Sequence, residues 1–200
     1  HQGVVAICAA HDYATVEEIL AVAEKLKCNT RHCYTSSGRH ESVAEHCWRM
    51  SLMAMLLRHE FPEVDMDKVI RMCIIHDLGE CFTGDIPTFE KTAANEVTEE
   101  TLLNSWVESL PDNYAKEMTE FYEEMAARQT IEAKIYKALD NLEAVIQHNF
   151  SPVSTWIPKE YELNQTYGWE RVQFSDYLLE LRREILKDTV KIIEDTQKEG

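Results

Sequence analysis

Apolar residues recur every three or four positions along most of the chain, which is the spacing of one buried helix face. This pattern predicts helices over about 15–27, 42–59, 67–76, 91–109, 113–148 and 175–196. The first two open with a capping-box pattern, at Thr15–Glu18 and at Ser42–Glu45. Long periodic segments with few glycines and prolines predict an all-α fold, arranged as a helical bundle.

Other segments lack this spacing. Residues 1–10 are apolar but short, and they predict a packed N-terminal arm or a small helix. Residues 28–41 are rich in Arg, His, Ser and Thr and predict a polar loop, and a glycine and a proline predict another loop at 83–88. Prolines and aromatic rings predict a third loop over 149–170, whose exposed rings form either a dimer contact or a lid.

Composition narrows the class of protein. The chain has 200 residues, 44% of them hydrophobic, which fits a single domain over 1–200 with a substantial core. A formal net charge of −16 repels phosphate backbones and argues against a nucleic-acid polymer as partner. No apolar run reaches the length of a membrane span. Six cysteines without a CxxC pair predict reduced thiols in a cytoplasmic protein.

Candidate chemistry lies where the third predicted helix ends. A run of apolar residues leads directly into His76 and Asp77, and Glu80 follows one helical turn further on. Ionisable groups at the end of an apolar helix must be paired, hydrogen-bonded or metal-bound. For an isolated His-Asp pair, a buried histidine held by its neighbour is the commoner explanation, so other parts of the chain have to decide.

Two other predicted helices supply further metal donors. His46 lies in the first turns of the second helix, and Asp140 lies inside the helix predicted over 113–148. Together with His76 and Asp77 they offer imidazole nitrogens and carboxylate oxygens. This donor set suits Mn, Fe, Co, Ni or Zn better than Ca or Mg, and it differs from the thiolate-rich sets of structural zinc. The sequence therefore predicts a site for a divalent transition metal ion.

The order H…HD…D, with the string HDLGECFTGDIPT from His76 to Thr88, resembles the HD-domain phosphohydrolase superfamily and, within it, the 5′-deoxynucleotidase branch. The resemblance covers a motif-bearing core of about 31–141, followed by the aromatic loop and a closing helix at 149–196. It implies an HD-domain helical bundle that hydrolyses nucleoside 5′-monophosphates with a metal. Two-metal members of the superfamily carry extra histidines between the HD pair and the last aspartate. Since no histidine lies between Asp77 and Asp140, the resemblance implies one metal ion rather than two.

The resemblance implies roles for residues before the second helix. Arg31 lies 15 positions before His46 and matches the family's phosphate-side arginine, whose planar fork suits phosphate oxygens. Arg39 is also matched by an arginine and is the weaker candidate for substrate binding. His32 stands where the related nucleotidases have a tryptophan near the sugar, so the preference for deoxyribose over ribose stays open.

The resemblance and the local charge assign further roles after the His-Asp pair. Glu80 is the candidate for orienting the attacking water or protonating the leaving oxygen. Asp77 combines metal ligation with a catalytic role in proton handling. Asp85 faces the substrate sugar by resemblance, and Lys91 adds positive charge for substrate binding.

Several functions stay open on the sequence alone. The same one-metal set serves (p)ppGpp hydrolysis or a phosphatase acting on another small metabolite. A non-catalytic protein that senses nucleotides or keeps the metal as a structural centre is a further alternative. Arg31, Glu80 and Asp85 together argue against that last reading, because a structural metal needs none of them. A homodimer is expected by analogy alone.

Overall fold

The computed structural model describes residues 16–199, and helices dominate them, which confirms the all-α prediction. The predicted arm over 1–10 and Thr15 of the first capping box lie outside the described residues. The α-helices are α1 (16–23), α2 (Lys25–Cys28), α3 (Val43–Leu57), α4 (Met66–Ile75), α5 (Glu80–Thr83), α6 (Ala93–Glu108), α7 (Asp112–Ala127), α8 (Ile131–Phe150), α9 (Pro158–Thr166), α10 (Trp169–Val172) and α11 (Asp176–Glu199). Short 3-10 turns cover Arg58–Glu60 and Val153–Thr155.

The starts of α3 and α4 follow from side-chain caps. The Ser42 hydroxyl accepts the Glu45 N–H while the Glu45 carboxylate accepts the Ser42 N–H, so the predicted capping box is confirmed. Helix α4 begins before the predicted Asp67, because the Asp65 carboxylate accepts the Lys68 N–H. His76 is the C-terminal cap of α4, as the sequence predicted.

The single helix predicted over 113–148 is wrong. Arg128 adopts a left-handed conformation, with φ 51°, and its N–H donates to the Glu124 carbonyl, which ends α7. Thr130 then caps α8 by accepting the Ala133 N–H. Apolar periodicity continues through this break because both helices bury a face, so the pattern alone does not reveal it.

The loop predicted over 28–41 is also wrong in part. Strands β1 (Thr30–Tyr34) and β2 (His40–Ser42) form an antiparallel hairpin within it. Gly38 has φ 83° in the turn that joins them, a conformation that glycine adopts without strain. The strands have no apolar alternation, which explains why sequence periodicity misses them.

Helix α8 forms the centre of the main core, where α3, α4 and α11 pack against it. The residues of this core that have no exposed surface include Met50, Val69, Met72, Ile135, Leu139, Leu142 and Leu178. Burying one such side chain contributes about 1.5–3 kcal/mol to folding. This packing holds the N-terminal turn of α3, the C-terminal end of α4 and the middle of α8 beside one another.

The loop predicted over 149–170 is wrong in part, because the segment includes α9 and the first residues of α10. Trp156 is 7% exposed, and its indole N–H donates to the His148 carbonyl at 3.2 Å, so its ring is not the exposed ring that was predicted. Arg182 of α11 is fully buried and donates to the Tyr167 and Asn164 carbonyls at 3.0 and 2.9 Å. Among the described helices, none is both long and apolar enough to cross a membrane.

Candidate active site

Three helices bring the four predicted metal ligands together. Nε2 of His46, in the first turns of α3, lies 3.1 Å from Oδ1 of Asp140 in α8. Nε2 of His76, at the end of α4, lies 3.1 Å from Oδ2 of Asp77. The remaining pairs, His46 with Asp77 and His76 with Asp140, are each 3.8 Å apart. Residues distant in the sequence thus form one cluster.

The donor atoms in this cluster fit a divalent transition metal ion. Those of His46, His76 and Asp77 lie within 4.8 Å of one another. His76 Nδ1 is 2.9 Å from the Cys73 carbonyl, so the N–H on that nitrogen directs Nε2 toward the other donors. His76 Nε2 is buried and makes no well-oriented hydrogen bond within the described chain, although Asp77 is close. A metal ion satisfies such a nitrogen.

Electrostatics also favour positive charge in the cluster. Burial opposes ionisation of Asp77, but the charge and hydrogen bond of His76, together with the charge of His46, lower the Asp77 pKa to about 2. Burial likewise opposes ionisation of Asp140, but Lys137, whose Nζ is 2.6 Å from Oδ2, holds the Asp140 pKa well below its usual range. Burial lowers the pKa of His76, whereas the negative charge of Asp77 is the main effect that raises it. The resulting pKa of His76 lies well above its ordinary value. Both carboxylates therefore stay charged and attract a cation.

Arg31 lies beside this cluster on β1. Its Nε is 3.7 Å from Glu41 Oε2, and its Nη1 is 3.8 Å from Glu143 Oε2. Nη1 is buried and has no hydrogen-bond partner within the described residues. Two nearby carboxylates therefore hold the guanidinium in place while one of its nitrogens remains available to a ligand.

Glu80, which is buried, and Asp85, which is half-buried, lie on the α5 side of the cluster. Burial, followed by the negative charges of Asp77 and Asp85, raises the pKa of Glu80 to about 10. Glu80 Oε2 is buried without a hydrogen-bond partner in the described structure. Burial also raises the pKa of Asp85, although Arg31 opposes this shift. Gly84, with φ 76°, connects α5 to Asp85.

The two remaining cationic candidates contact other carboxylates. Arg39 is 58% exposed, and its Nη1 donates to Glu45 Oε2 at 2.9 Å. Lys91 Nζ lies 2.9 Å from Glu99 Oε2. Burial lowers the pKa of Lys91, but Glu99 outweighs burial and raises it overall. Their assignment to substrate binding stays a prediction.

His32 faces the C-terminal segment. Its Nε2 lies 3.0 Å from Oε1 of Glu160 in α9, and His148 Nε2 lies 3.5 Å from the same oxygen. The His32 ring also meets Phe89 edge-on, with ring centroids 5.4 Å apart. The Nζ of Lys159 lies over the Phe89 ring, 5.0 Å from its centroid. The C-terminal segment therefore contributes a wall next to the hairpin that carries Arg31.

Sequence reasoning missed several of these residues. Glu143 is fully buried, accepts from Arg49 Nε at 2.6 Å and hydrogen-bonds His46 Nδ1. A signal for it was available, since Lys137, Asp140 and Glu143 recur every three positions on a predicted amphipathic helix and so lie on one side of it. Glu160 carries no comparable signal, because its partner His32 is far away in the sequence, and neither does His148, which lies in a different helix from Glu160.

Comparison with known proteins agrees with this geometry. The family model described as "HD domain" matches residues 23–182. The chain is 33% identical over 116 residues to human 5′-deoxynucleotidase HDDC2, covering 57% of this chain and 56% of that protein. The chain thus spans about half the length of the curated relatives it matches. The resemblance predicted from the HD string is confirmed.

Solved structures share the fold. The crystal structure of a predicted metal-dependent phosphohydrolase from Magnetospirillum magnetotacticum MS-1 superposes with a TM-score of 0.75 at 28% identity, covering 92% of this chain and 95% of that chain. The cyanophage S-2L HD phosphohydrolase DatZ, bound to dA and one catalytic Zn2+ ion, gives a TM-score of 0.55 at 19% identity, covering 88% and 96%. The latter likeness concerns the fold alone.

Proposed function

Because the chain belongs to the HD domain family, we propose that it is a metal-dependent phosphomonoesterase that hydrolyses nucleoside 5′-monophosphates to nucleoside and phosphate. The observation that carries the proposal is the convergence of His46, His76, Asp77 and Asp140 beside Arg31, whose buried Nη1 has no hydrogen-bond partner among the described residues. A cation site next to a buried guanidinium suits a dianionic phosphate ester.

His46, His76, Asp77 and Asp140 would hold one divalent transition metal ion. When bound, such an ion supplies Lewis-acid chemistry at a phosphoryl oxygen. Lys137 lies 2.6 Å from Asp140 and keeps that carboxylate ionised, which favours metal binding over protonation. The contact of His76 Nδ1 with the Cys73 carbonyl orients the second imidazole in the same way.

Arg31 would bind the substrate phosphate. Its side chain is 17% exposed, but Nη1 is buried and has no hydrogen-bond partner in the described structure, and Glu41 and Glu143 hold the guanidinium by charge. Phosphate oxygens bind paired guanidinium N–H groups at short distances. The buried location keeps competing water away and strengthens this attraction.

Glu80 would transfer the proton that the leaving 5′ oxygen requires. Its carboxyl is buried at the start of α5, and its Oε2 has no hydrogen-bond partner in the described chain. A carboxyl oriented in this way donates to an alkoxide leaving group or orients the attacking water. Asp85, which follows Gly84, would contact the sugar, and His32 would lie at the edge of the nucleoside.

The experiment is a phosphate-release assay on deoxyribo- and ribonucleoside 5′-monophosphates, with Mn2+, Co2+, Zn2+ or Mg2+ added in turn. We expect release with at least one transition metal ion and loss of release in Asp77→Ala. Asp67→Ala is the matched control, because Asp67 is 70% exposed on α4 and lies away from the cluster. Its activity should equal that of the wild type.

Other outcomes would contradict the proposal in recognisable ways. With sugar phosphates and (p)ppGpp added to the substrate panel, activity confined to sugar phosphates would identify a phosphatase of another metabolite, and activity on (p)ppGpp alone would identify a different phosphohydrolase. Nucleotide binding that depends on metal, without release under any of these conditions, would identify a sensor.

A further inference from the structure

Both ring nitrogens of His46 contact carboxylates, and the two sides of the ring differ in their surroundings. Nε2 lies 3.1 Å from Asp140 Oδ1, within the proposed metal site. Nδ1 hydrogen-bonds Oε2 of Glu143, which extends from α8 one turn after Asp140. Glu143 has no exposed surface. Since His46 is 1% exposed, neither of its nitrogens depends on solvent.

The Nδ1 side of His46 offers enough donor atoms for a second metal ion, but the charges around these atoms oppose one. Donor atoms of Glu41, His46 and Glu143 lie within 4.8 Å of one another. However, Arg49 Nε donates to Glu143 Oε1 at 2.6 Å, and Arg31 Nη1 lies 3.8 Å from Glu143 Oε2. A divalent cation there would face two guanidinium charges at close range in a poorly screened interior. The arginines already neutralise this carboxylate.

The Glu143 carboxylate is held firmly. Its two oxygens have different partners, Arg49 at Oε1 and His46 at Oε2. Arg49 is itself anchored, because its Nη2 donates to the Glu143 backbone carbonyl at 3.4 Å and its guanidinium lies 5.7 Å from the Phe150 ring centroid. The carboxylate therefore cannot rotate away from His46 without breaking a buried ion pair.

We infer that Glu143 is a positioning residue that holds the Nδ1–H of His46, so that the Nε2 lone pair faces the metal ion. The same carboxylate also connects the metal site to Arg31 and hence to the phosphate site. A carboxylate that accepts the second N–H of a ligating histidine fixes its tautomer and raises its basicity. This inference rests on the proposed function for the identity of both sites, and it predicts one metal ion per chain.

The test measures metal affinity without substrate, by chelator competition with Mn2+ or Zn2+. Glu143→Gln keeps the size of the side chain and an acceptor oxygen but removes the charge. We expect about 10–100-fold weaker metal binding, and weaker binding of inorganic phosphate to the metal-loaded protein. Glu124→Gln is the matched control. Glu124 lies near the end of α7, and the substitution removes the charge of a partly buried carboxylate that pairs with Lys68 of α4. Its metal affinity should equal that of the wild type.

A second variant separates orientation from charge. Glu143→Asp keeps a carboxylate for the two arginines but moves it away from His46 by one methylene. It also allows the test if Glu143→Gln fails to fold because the charge is needed. We expect several-fold weaker metal binding in this variant. Circular dichroism and thermal unfolding identify which variants fold.

Two results would overturn the inference. One is metal affinity within twofold of the wild type in the folded Glu143 variants. The other is a wild-type stoichiometry of two ions, with the second lost in Glu143→Gln. Failure of the proposed function looks different: wild-type protein would bind metal and release no phosphate, while the affinity comparison would still decide the role of Glu143.

Discussion

The hydroxyl of Tyr122 donates to the backbone carbonyl of Ile75 at 2.8 Å. Ile75 is the last residue of α4, and its carbonyl also accepts the Leu78 N–H at 3.1 Å. Tyr122 belongs to α7, and its ring also packs beside both core clusters. One hydroxyl thus fixes the helix end from which His76 and Asp77 extend.

Tyr122→Phe should therefore affect both stability and the metal site. Removing the hydroxyl takes away one of the two donors to the Ile75 carbonyl, and the loss of one such hydrogen bond costs about 0.5–1.5 kcal/mol. We expect this loss in denaturant unfolding, together with weaker metal binding because the end of α4 becomes less well fixed. Tyr114→Phe is the control, since the Tyr114 hydroxyl makes no side-chain hydrogen bond within the part of the chain that the structure describes. Unchanged stability of Tyr122→Phe would show that this bond contributes nothing.

Gly84 and Gly38 offer a matched test of loop geometry. Both have positive φ, 76° and 83°, and an added Cβ would meet no atom within 4 Å at either position. Alanine at either glycine should cost about 1–3 kcal/mol through backbone strain alone. Gly84→Ala alone should also reduce phosphate release, because Gly84 orients the loop that carries Asp85. Equal phosphate release by Gly84→Ala and Gly38→Ala would show that the geometry of the loop at Gly84 does not affect catalysis.

Glu160→Gln should change the response to the nucleoside part of the substrate. The substitution removes the charge that faces His32 at 3.0 Å and His148 at 3.5 Å. With His32 less restrained, we expect KM for nucleoside monophosphates to rise several-fold. KM for p-nitrophenyl phosphate, which lacks a nucleoside, should stay the same. Glu162→Gln, on an exposed position of the same helix, is the control, and parallel changes for both substrates would contradict a role in nucleoside recognition.

Metal removal should lower the melting temperature. A ligand that binds only the folded state at 100 times its Kd contributes about 2.7 kcal/mol. In a chain of this size each kcal/mol corresponds to about 2–4 °C. We therefore expect a chelator to lower Tm by about 5–10 °C, and Asp140→Asn to lose most of this response. A wild-type Tm that is insensitive to both Mn2+ and chelator would argue against metal binding to the folded chain.

The sequence by itself determined the fold class and predicted the ligand set. Helical periodicity identified α3, α4 and α11, because each buries one continuous apolar face. The sequence predicted His76 and Asp77 at the end of α4, because both residues directly follow the apolar run of that helix and the pattern is local. Periodicity failed where local backbone geometry decides, as at Arg128 with its positive φ and at the hairpin β1–β2.

Only the tertiary structure decided which charged side chains meet. The contact between His46 and Glu143 joins residues 97 positions apart, and the contact of Asn29 with the Glu80 carbonyl joins residues 51 apart. Such pairs depend on how the helices pack, and helical spacing carries no information about packing between distant segments. Glu143 and Glu160 therefore emerged from the structure, since their burial is tolerable only beside the arginines and histidines that other elements supply.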